Sequence, residues 1–296
     1  MNYYNNIKDL LINNELTQKA KDYSKCKSDL TTYYEVGKLL SEAGKHYGEG
    51  IIKEYSSKLV VEIGKKYNER TLRRMKQLYN FCEKQKWPAA PAKLTVSHYD
   101  ELMRLNDMDE INYYIEICDR NNISSKDLRK RIKNKEYLRL DEETRKKIVE
   151  NRNIELIDTV KNSIFIKNSF DTKDISEKML KKLILEDIED FLLELGEGYS
   201  FIKSEYKIKI GDNYNYIDLL LFNYIYNSFV VIELKVTPLK KEHLGQISVY
   251  MNYIDENIKT ASQNNTLGII IVKENNRFII KYKTSDKIIS REYSLI

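Results

Sequence analysis

Apolar residues recur at helical spacing through the first half of the chain. The segments TTYYEVGKLLSEAG and GIIKEYSSKLVVEIG each place their apolar residues on one side, and the second ends at Gly64. Asn68 is suited to cap a further helix, NERTLRRMKQLYNFCEKQ, whose apolar stripe has the same spacing. These patterns predict an all-helical N-terminal domain over residues 1–140.

Shorter helices are predicted after this region, beyond a loop. Pro88 and Pro91 lie close together in KWPAAPAKL, a composition typical of loops. Residues 141–165 are strongly charged at helical spacing, so they are predicted to form a helical linker. The predicted short helices are Tyr99–Leu105, Glu110–Asn121 and Ser125–Lys135.

The pattern changes to β-type runs in the second half. An amphipathic helix, SEKMLKKLILEDIEDFLLELG, precedes three predicted strands, YSFIKSEYKIKI, YNYIDLLLFNY and FVVIELKV, with a turn at Gly211. Helical spacing returns in HLGQISVYMNYIDENI, and TLGIIIVKE and RFIIKYK are predicted as further strands. This order predicts a mixed sheet in an α/β/α domain over residues 166–296. The chain as a whole is predicted to have two parts, α+β/α/β in class.

Charged residues interrupt two consecutive apolar strands of this domain. Asp218 lies within YIDLLLF, and Glu233 and Lys235 lie within VVIELKV. Continuous apolar runs are typical of strands that are buried on both faces. Burial of a charge is costly unless the charge is paired or binds a metal, so these residues predict either a metal site or a structural ion pair.

Strand geometry favours a metal site. Glu233 and Lys235 are two positions apart and point the same way, and Asp218 is one hairpin away from them. Two neighbouring carboxylates form a hard oxygen site suited to Mg²⁺, with Mn²⁺ as the alternative. The carbonyl of Leu234 is a candidate third ligand. Lys235 is placed to orient a water or to neutralise charge on a phosphate.

The chain resembles a known group of proteins at these residues. Asp218 followed by Glu233-Leu234-Lys235 is similar to the motif of the PD-(D/E)XK nuclease superfamily, although Ile217 stands where that motif has proline. The segments NERTLRRMKQLY, FLLELGEGYSFI and GQISVYMNYID resemble a bacterial family that joins an uncharacterised helical N-terminal domain to such a nuclease domain. The resemblance implies a restriction-endonuclease-like fold and a metal-dependent nuclease.

Two further site residues follow from the resemblance. The superfamily often uses an acid on the helix before the strands, which implies Glu186, with Glu189 as the alternative. A polar residue on the following helix implies Gln246. Lys240 and His243 are candidates for phosphate contact, although each of these residues is also compatible with an ordinary surface position.

A cluster of basic residues begins the helix after Asn68. Helix, short turn and second helix resemble a helix-turn-helix unit, in which the start of the second helix enters the major groove of DNA. A second basic stretch follows at Ser125–Lys135. The alternative for both stretches is a solvated charged face. The predicted nucleic-acid-binding residues are Lys65, Lys66, Arg70, Arg73, Arg74 and Lys76.

Composition adds a few limits to this picture. The net charge of +5 is compatible with a nucleic-acid partner. The three cysteines form no CxxC pair, which disfavours a disulfide framework and is consistent with a cytoplasmic location. The chain carries neither a signal-peptide pattern nor an apolar run of membrane-spanning length.

These observations together predict a metal-dependent DNA endonuclease with an N-terminal nucleic-acid-binding domain. RNA is not excluded as the substrate, because no sequence feature distinguishes a 2′-hydroxyl. A homodimer is expected only because cleavage of two strands commonly uses two sites. The alternatives are a non-catalytic subunit that keeps the nuclease fold and an oligomerisation module.

Overall fold

The N-terminal unit, residues 1–135, is helical where it is described. The computed structural model describes residues 2–19, 25–84, 94–170, 175–276, 279 and 285–296. The loop predicted around Pro88 and Pro91 lies outside these residues. The helices of this unit are α1 Tyr3–Lys19, α2 Lys25–Tyr47, α3 Ile51–Glu62, α4 Glu69–Lys84, α5 Val96–Leu102, α6 Met108–Asn121 and α7 Ser125–Lys133.

The core of this unit forms where the apolar stripes of α1 to α4 meet. Ile7, Leu40, Leu59 and Leu72 are each fully buried in it. Gly37 lets α2 approach α4 closely, because a Cβ atom there would lie 2.2 Å from the carbonyl oxygen of Met75. A single 3-10 turn, Lys65–Tyr67, joins α3 to α4. The helical character predicted for this region is therefore confirmed.

The second unit, residues 136–296, contains one six-stranded mixed sheet with the strand order β1-β6-β5-β4-β3-β2. Strands β2, β3 and β4 run antiparallel to their neighbours in turn, and β4, β5, β6 and β1 are parallel. Its elements are α8 Glu136–Arg139, α9 Glu142–Val149, α10 Leu156–Thr159, β1 Ser163–Ile166, α11 Glu177–Glu186, α12 Ile188–Leu195, β2 Tyr199–Ile210, β3 Asn213–Asn223, β4 Ser228–Pro238, α13 Lys241–Asn257, β5 Asn264–Glu274 and β6 Ile288–Leu295.

Both faces of the sheet are covered by helices. On one face α11 and α12 contribute Leu183 and Phe191 to a core that includes Ile232. On the other face α13 contributes Ile247 to a core that includes Val231. This alternation along β4 explains its continuous apolar run, since side chains on both sides of the strand are buried.

The structure departs from the sequence predictions at three places. The helix predicted as one element divides at Asp187, whose backbone leaves the helical region (φ −132°, ψ 51°). Residues 141–165, predicted as a charged linker, hold α9, α10 and the start of the edge strand β1. Strand β6 was not predicted, whereas the strand predicted at RFIIKYK lies outside the described residues except for Ile279. The exact domain boundaries remain a prediction.

Candidate active site

The sheet opens between β3 and β4. The two strands are paired from Asn223↔Ser228 as far as Leu219↔Ile232. Beyond that point β3 stays paired with β2, and β4 stays paired with β5. The next positions in the register are Asp218 and Glu233, so both acids lie where the two strands part.

At this opening the side chain of Asp218, instead of a backbone group of β3, bonds to the backbone of β4. Its Oδ2 atom accepts a hydrogen bond from the backbone N–H of Leu234 at 2.9 Å. Its Oδ1 atom lies 2.6 Å from the ammonium group of Lys181, which comes from α11. The carboxylate therefore links the separated strands and is held by one cation.

Glu233 is the more deeply buried acid, with 3% of its side chain exposed. Its Oε1 atom accepts a hydrogen bond from Lys235 at 2.9 Å, whereas its Oε2 atom is buried without a hydrogen-bond partner. Burial and, after it, the neighbouring charge of Asp218 raise the pKa of Glu233 to about 7, against the lowering effect of Lys235. The two carboxyl groups are thus close enough to repel each other strongly.

Lys235 extends the site towards both helical layers. Its side chain is 13% exposed, and its ammonium group lies 3.7 Å from the carboxylate of Glu177 at the start of α11. Burial lowers the pKa of Lys235, but Glu233, Glu177 and Asp218 together outweigh that effect and the net shift is upward. Burial lowers the pKa of His243, on α13, and the positive charge of Lys235 lowers it further. The ammonium group of Lys235 therefore lies near two carboxyl groups, and its charge acts on the imidazole of His243.

The structure brings Asp218, Glu233 and Lys235 together as the sequence predicted, but it does not bring Glu186 to them. Glu186 is at the far end of α11, where it is ion-paired with Lys182 at 3.5 Å. It lies about 13 Å along the helix axis from the end that reaches the site. Glu177, rather than Glu186, is the acid of this helix that contacts Lys235 in the structure, and the catalytic role of Glu186 stays an untested prediction.

The other predicted residues take varied positions. Glu189, the alternative to Glu186, is exposed in the first turn of α12. The side-chain amide of Gln246 donates to the hydroxyl of Tyr250 one turn later on α13. Lys240 is exposed at the start of that helix. None of these three residues has a recorded contact with the acid pair.

Two residues of the site were missed by sequence reasoning. Lys181 contacts Asp218 and also lies 3.3 Å from Glu205 on β2. Glu177 and Lys181 are four positions apart and hence share one side of α11. The sequence signal for these two residues was an acid and a lysine four positions apart, next to the apolar stripe of the helix.

Most of the basic cluster predicted in the N-terminal unit is neutralised by acids of the same unit. Four of its six cations are ion-paired there, while Lys65 and Arg70 have no recorded ion pair within the described ranges. On α7 the guanidinium of Arg129 is paired with the buried carboxylate of Glu101 at 2.7 Å. The paired cations and their partners are Lys66 with Glu15, Arg73 with Glu69, Arg74 with Asp100 and Lys76 with Glu49.

The described residues lack two further features. No group of three or more His, Cys, Asp or Glu side chains in the described part of the chain is arranged to hold a metal ion. Among the described helices, none has both the length and the apolar character needed to cross a membrane. Any metal at the opening would therefore depend on the two carboxylates together with other kinds of ligand.

Comparison with known proteins follows the division of the chain. Residues 157–295 match the family described as the YhcG PDDEXK nuclease domain, and residues 12–139 match the DUF1016 N-terminal domain. The curated Escherichia coli (strain K12) protein "Putative nuclease YhcG" is 23% identical over 285 residues, covering 82% of this chain and 76% of that protein. The nuclease-domain match and the mixed sheet confirm the predicted restriction-endonuclease-like class, whereas the helix-turn-helix prediction stays untested.

Solved structures show a weaker similarity. A repair endonuclease from Pyrococcus abyssi is 20% identical with a TM-score of 0.29, covering 43% of this chain and 49% of that chain. The EndoMS–dsDNA2 complex is 16% identical with a TM-score of 0.29, covering 44% of this chain and 49% of that chain. The matched region thus spans about half the length of these structures.

Proposed function

Because this chain belongs to the family that joins a DUF1016 N-terminal domain to a YhcG PDDEXK nuclease domain, we propose that it hydrolyses phosphodiester bonds in DNA with the help of a divalent metal ion. The family match supports nuclease activity of the C-terminal domain. DNA as the substrate and Mg²⁺ as the metal, with Mn²⁺ as the alternative, are the finer parts of the proposal.

The observation that carries the proposal is the unsatisfied oxygen of Glu233. Its Oε2 atom is buried beside Asp218 and accepts no hydrogen bond. A buried acceptor without a partner is costly, and a second carboxylate close to it adds repulsion. A divalent cation coordinated by both carboxylates would remove both costs, so the site fits a hard metal ion.

The donor set is typical of Mg²⁺ rather than of zinc. Mg²⁺ is commonly held by one or two carboxylates, with water and substrate phosphate oxygens completing its shell. Asp218 and Glu233 supply the carboxylates, and the backbone carbonyl of Leu234 between them is the proposed third ligand. This composition explains why no three-acid cluster is needed at the opening.

The lysines of the site have separate roles in the proposed reaction. A bound divalent ion supplies a polarised phosphate oxygen and a water of lowered pKa. Lys235, already fixed against Glu233 at 2.9 Å, orients the attacking water and offsets negative charge that develops on the phosphate. A metal held by Asp218 would displace Lys181 from that carboxylate, and Glu205 at 3.3 Å would remain as the partner of Lys181.

The test is incubation of the purified full chain with supercoiled, linear and branched DNA. We expect cleavage with Mg²⁺ or Mn²⁺ and none after EDTA is added. Cleavage that persists in excess EDTA would refute metal dependence. Absence of cleavage of all three DNAs and of a matched RNA set, with either metal, would refute the nuclease proposal.

A second candidate function is a non-catalytic subunit that keeps the nuclease fold. One observation favours it: each carboxylate at the opening already has a cationic partner, Lys181 for Asp218 and Lys235 for Glu233. Titration with Mn²⁺, followed by its paramagnetic signal, separates the candidates. Stoichiometric binding that is lost in Asp218→Asn supports the enzyme, and no binding supports the non-catalytic subunit.

Three further properties are proposed for this protein: DNA binding by the N-terminal unit, a cytoplasmic location and a homodimeric state. We propose that the N-terminal unit binds DNA, with Lys65 and Arg70 as the cations that its own acids leave available. Cys82 and Cys118 are free thiols, which supports the proposed cytoplasmic location. A homodimer is proposed because cleavage of both strands of a duplex is simplest with two sites.

A further inference from the structure

One face of the β2–β3 hairpin is uncovered near its turn and carries two tyrosines and two lysines, with Glu205 beyond them beside Lys181. Tyr214 and Tyr216 on β3 are 57% and 52% exposed, and Lys207 and Lys209 on β2 are exposed beside them. Lys207 is paired in register with Tyr216, and Lys209 with Tyr214. We call these four residues the tyrosine–lysine face.

The opposite face of the same hairpin belongs to the core. Ile208 and Ile217, which alternate with the exposed residues, are 1% and 0% exposed and pack in the layer covered by α13. The hairpin is therefore fixed in the domain from one side only. Its tyrosine rings are presented on a rigid support, which limits the entropy that they lose when a ligand binds.

The charges of this face have no acidic partner. Neither Lys207 nor Lys209 is in an ion pair within the part of the chain that the structure describes, and Lys207 lies 3.7 Å from the ring centroid of Tyr214. Uncompensated ammonium groups alternate here with flat aromatic rings. This combination is complementary to a chain that carries negative phosphates and planar bases.

The tyrosine–lysine face leads to the acid pair. Tyr216 faces away from the α13 layer, in which its neighbour Ile217 packs, and so lies on the α11 side of the strand. Lys181 of α11 contacts Asp218 on that side. Tyr214 lies about 13 Å from Asp218 along the strand, so a nucleic-acid strand that crosses this face reaches the site within a few nucleotides.

We infer that the tyrosine–lysine face binds an unpaired stretch of DNA next to the bond to be cut, so that the substrate class is duplex DNA with a single-stranded overhang or flap. The inference rests on the proposed function. Bases within a duplex already stack on one another, so only unpaired bases can stack on these rings. The two tyrosines are about 7 Å apart along the strand, which accommodates one base on each ring of an extended backbone.

Binding in EDTA by fluorescence anisotropy tests the inference without cleavage. The full chain is compared on a blunt duplex and on the same duplex with an eight-nucleotide single-stranded overhang. We expect the wild type to prefer the overhang. The Tyr214→Ala/Tyr216→Ala double variant should bind the overhang DNA at least about tenfold more weakly and the blunt duplex within about twofold of wild type.

Two controls separate stacking from other effects. Tyr214→Phe/Tyr216→Phe keeps the rings and should retain the overhang preference. Tyr224→Ala removes a tyrosine that is 66% exposed just beyond the other end of β3 and should leave binding unchanged. Both controls should melt at the same temperature as the alanine variant.

The inference is overturned if wild type binds blunt and overhang DNA equally, or if the double alanine variant loses the same factor on both. Either result can occur while Mg²⁺-dependent cleavage of duplex DNA is intact, in which case the proposed function stands without the inference. Failure of the proposed function is recognised separately, as the absence of metal-dependent cleavage of any nucleic acid.

Discussion

Charged residues have opposite environments in the two units of this protein. In the helical unit the basic cluster at the start of α4 is largely cancelled by acids of the same unit, such as Asp100 opposite Arg74 and Glu49 opposite Lys76. In the sheet unit Glu233 is 3% exposed and leaves one carboxylate oxygen without a hydrogen bond. The charges of the basic cluster are mostly neutralised within its own unit. The buried oxygen of Glu233, by contrast, needs a further ligand as its partner.

This difference teaches how each kind of sequence signal should be weighed. A run of like charges is visible in the sequence, but the acids that neutralise it elsewhere in the fold are not. The run therefore overstates how many cations are available to bind a ligand. A single charge within an apolar strand predicts its own burial, because the flanking residues fix the strand inside the sheet. The second kind of signal is therefore the stronger indication of a functional site.

The largest expected effect is loss of cleavage when the acid pair is altered. Asp218→Asn or Glu233→Gln removes a proposed metal ligand with little change in volume, and we expect DNA cleavage with Mg²⁺ to fall by about 10³-fold. Initial rates on supercoiled DNA provide the measurement. Glu186→Gln is the matched control on α11 and should cleave within about twofold of wild type. A Glu186 variant as inactive as the Asp218 variant would contradict this account of the site.

The pKa of Glu233 predicts an unusual dependence of stability on pH. Its value is raised from 4.5 to about 7 in the fold, so between these pH values the folded protein binds more protons than the unfolded chain. The free energy of unfolding of the metal-free protein should therefore fall as the pH rises from about 4.5 to about 7, by on the order of 2 kcal/mol.

Thermal or urea unfolding in EDTA at pH 5 and pH 8 measures this effect. Glu233→Gln carries no titrating group and should lose less stability than wild type over that interval. Addition of Mn²⁺ at pH 8 should restore stability to wild type and leave Glu233→Gln nearly unchanged. An identical pH profile in the two proteins would show that the burial of Glu233 carries no such cost.

Removal of the competition between Lys181 and the metal should strengthen metal binding, which is a smaller effect than the preceding ones. Lys181 lies 2.6 Å from Asp218, and a metal must displace it to reach that carboxylate. We expect Lys181→Met to bind Mn²⁺ roughly tenfold more tightly, a change of ~1.4 kcal/mol, and to be less stable in EDTA. The control is Lys182→Met, because Lys182 is 63% exposed and paired with Glu186 away from the site. Calorimetric titration distinguishes the variants, and weaker binding by Lys181→Met would disprove the competition.

Local patterns predicted much of the fold. The helices of the N-terminal unit and the strands β2 to β4 follow from the spacing of apolar residues, and Gly211, with φ of +58°, provides the predicted turn between β2 and β3. The edge strand β1 was missed because it has only four residues, Ser163–Ile166, and is paired with a distant segment. Its pairing is fixed by tertiary structure rather than by local propensity.

The site was predictable only as far as it depends on neighbouring strands. The hairpin places Asp218 opposite Glu233, so their proximity follows from the sequence. Lys181 and Glu177 belong to α11, and the rotation of that helix against the sheet is set by packing, which no local pattern specifies. The same limit applies to the prediction of Glu186, since the resemblance indicated an acid on the helix but not the end of the helix that reaches the strands.

The smallest expected effect concerns the basic cluster of the helical unit and tests the comparison from its other side. Lys65 and Arg70 have no recorded ion pair within the described residues, whereas Arg73 is bonded to Glu69 at 2.7 Å. If the unpaired cations contact phosphates, Lys65→Ala/Arg70→Ala should weaken binding to blunt duplex DNA several-fold and reduce the slope of log affinity against log salt by about 2. Arg73→Ala, the matched control, should change both by less, because its charge is already offset by Glu69. Anisotropy titrations between 50 and 200 mM salt measure both quantities, and equal effects of all the variants would mean that ion pairing within the unit does not decide which cations meet DNA.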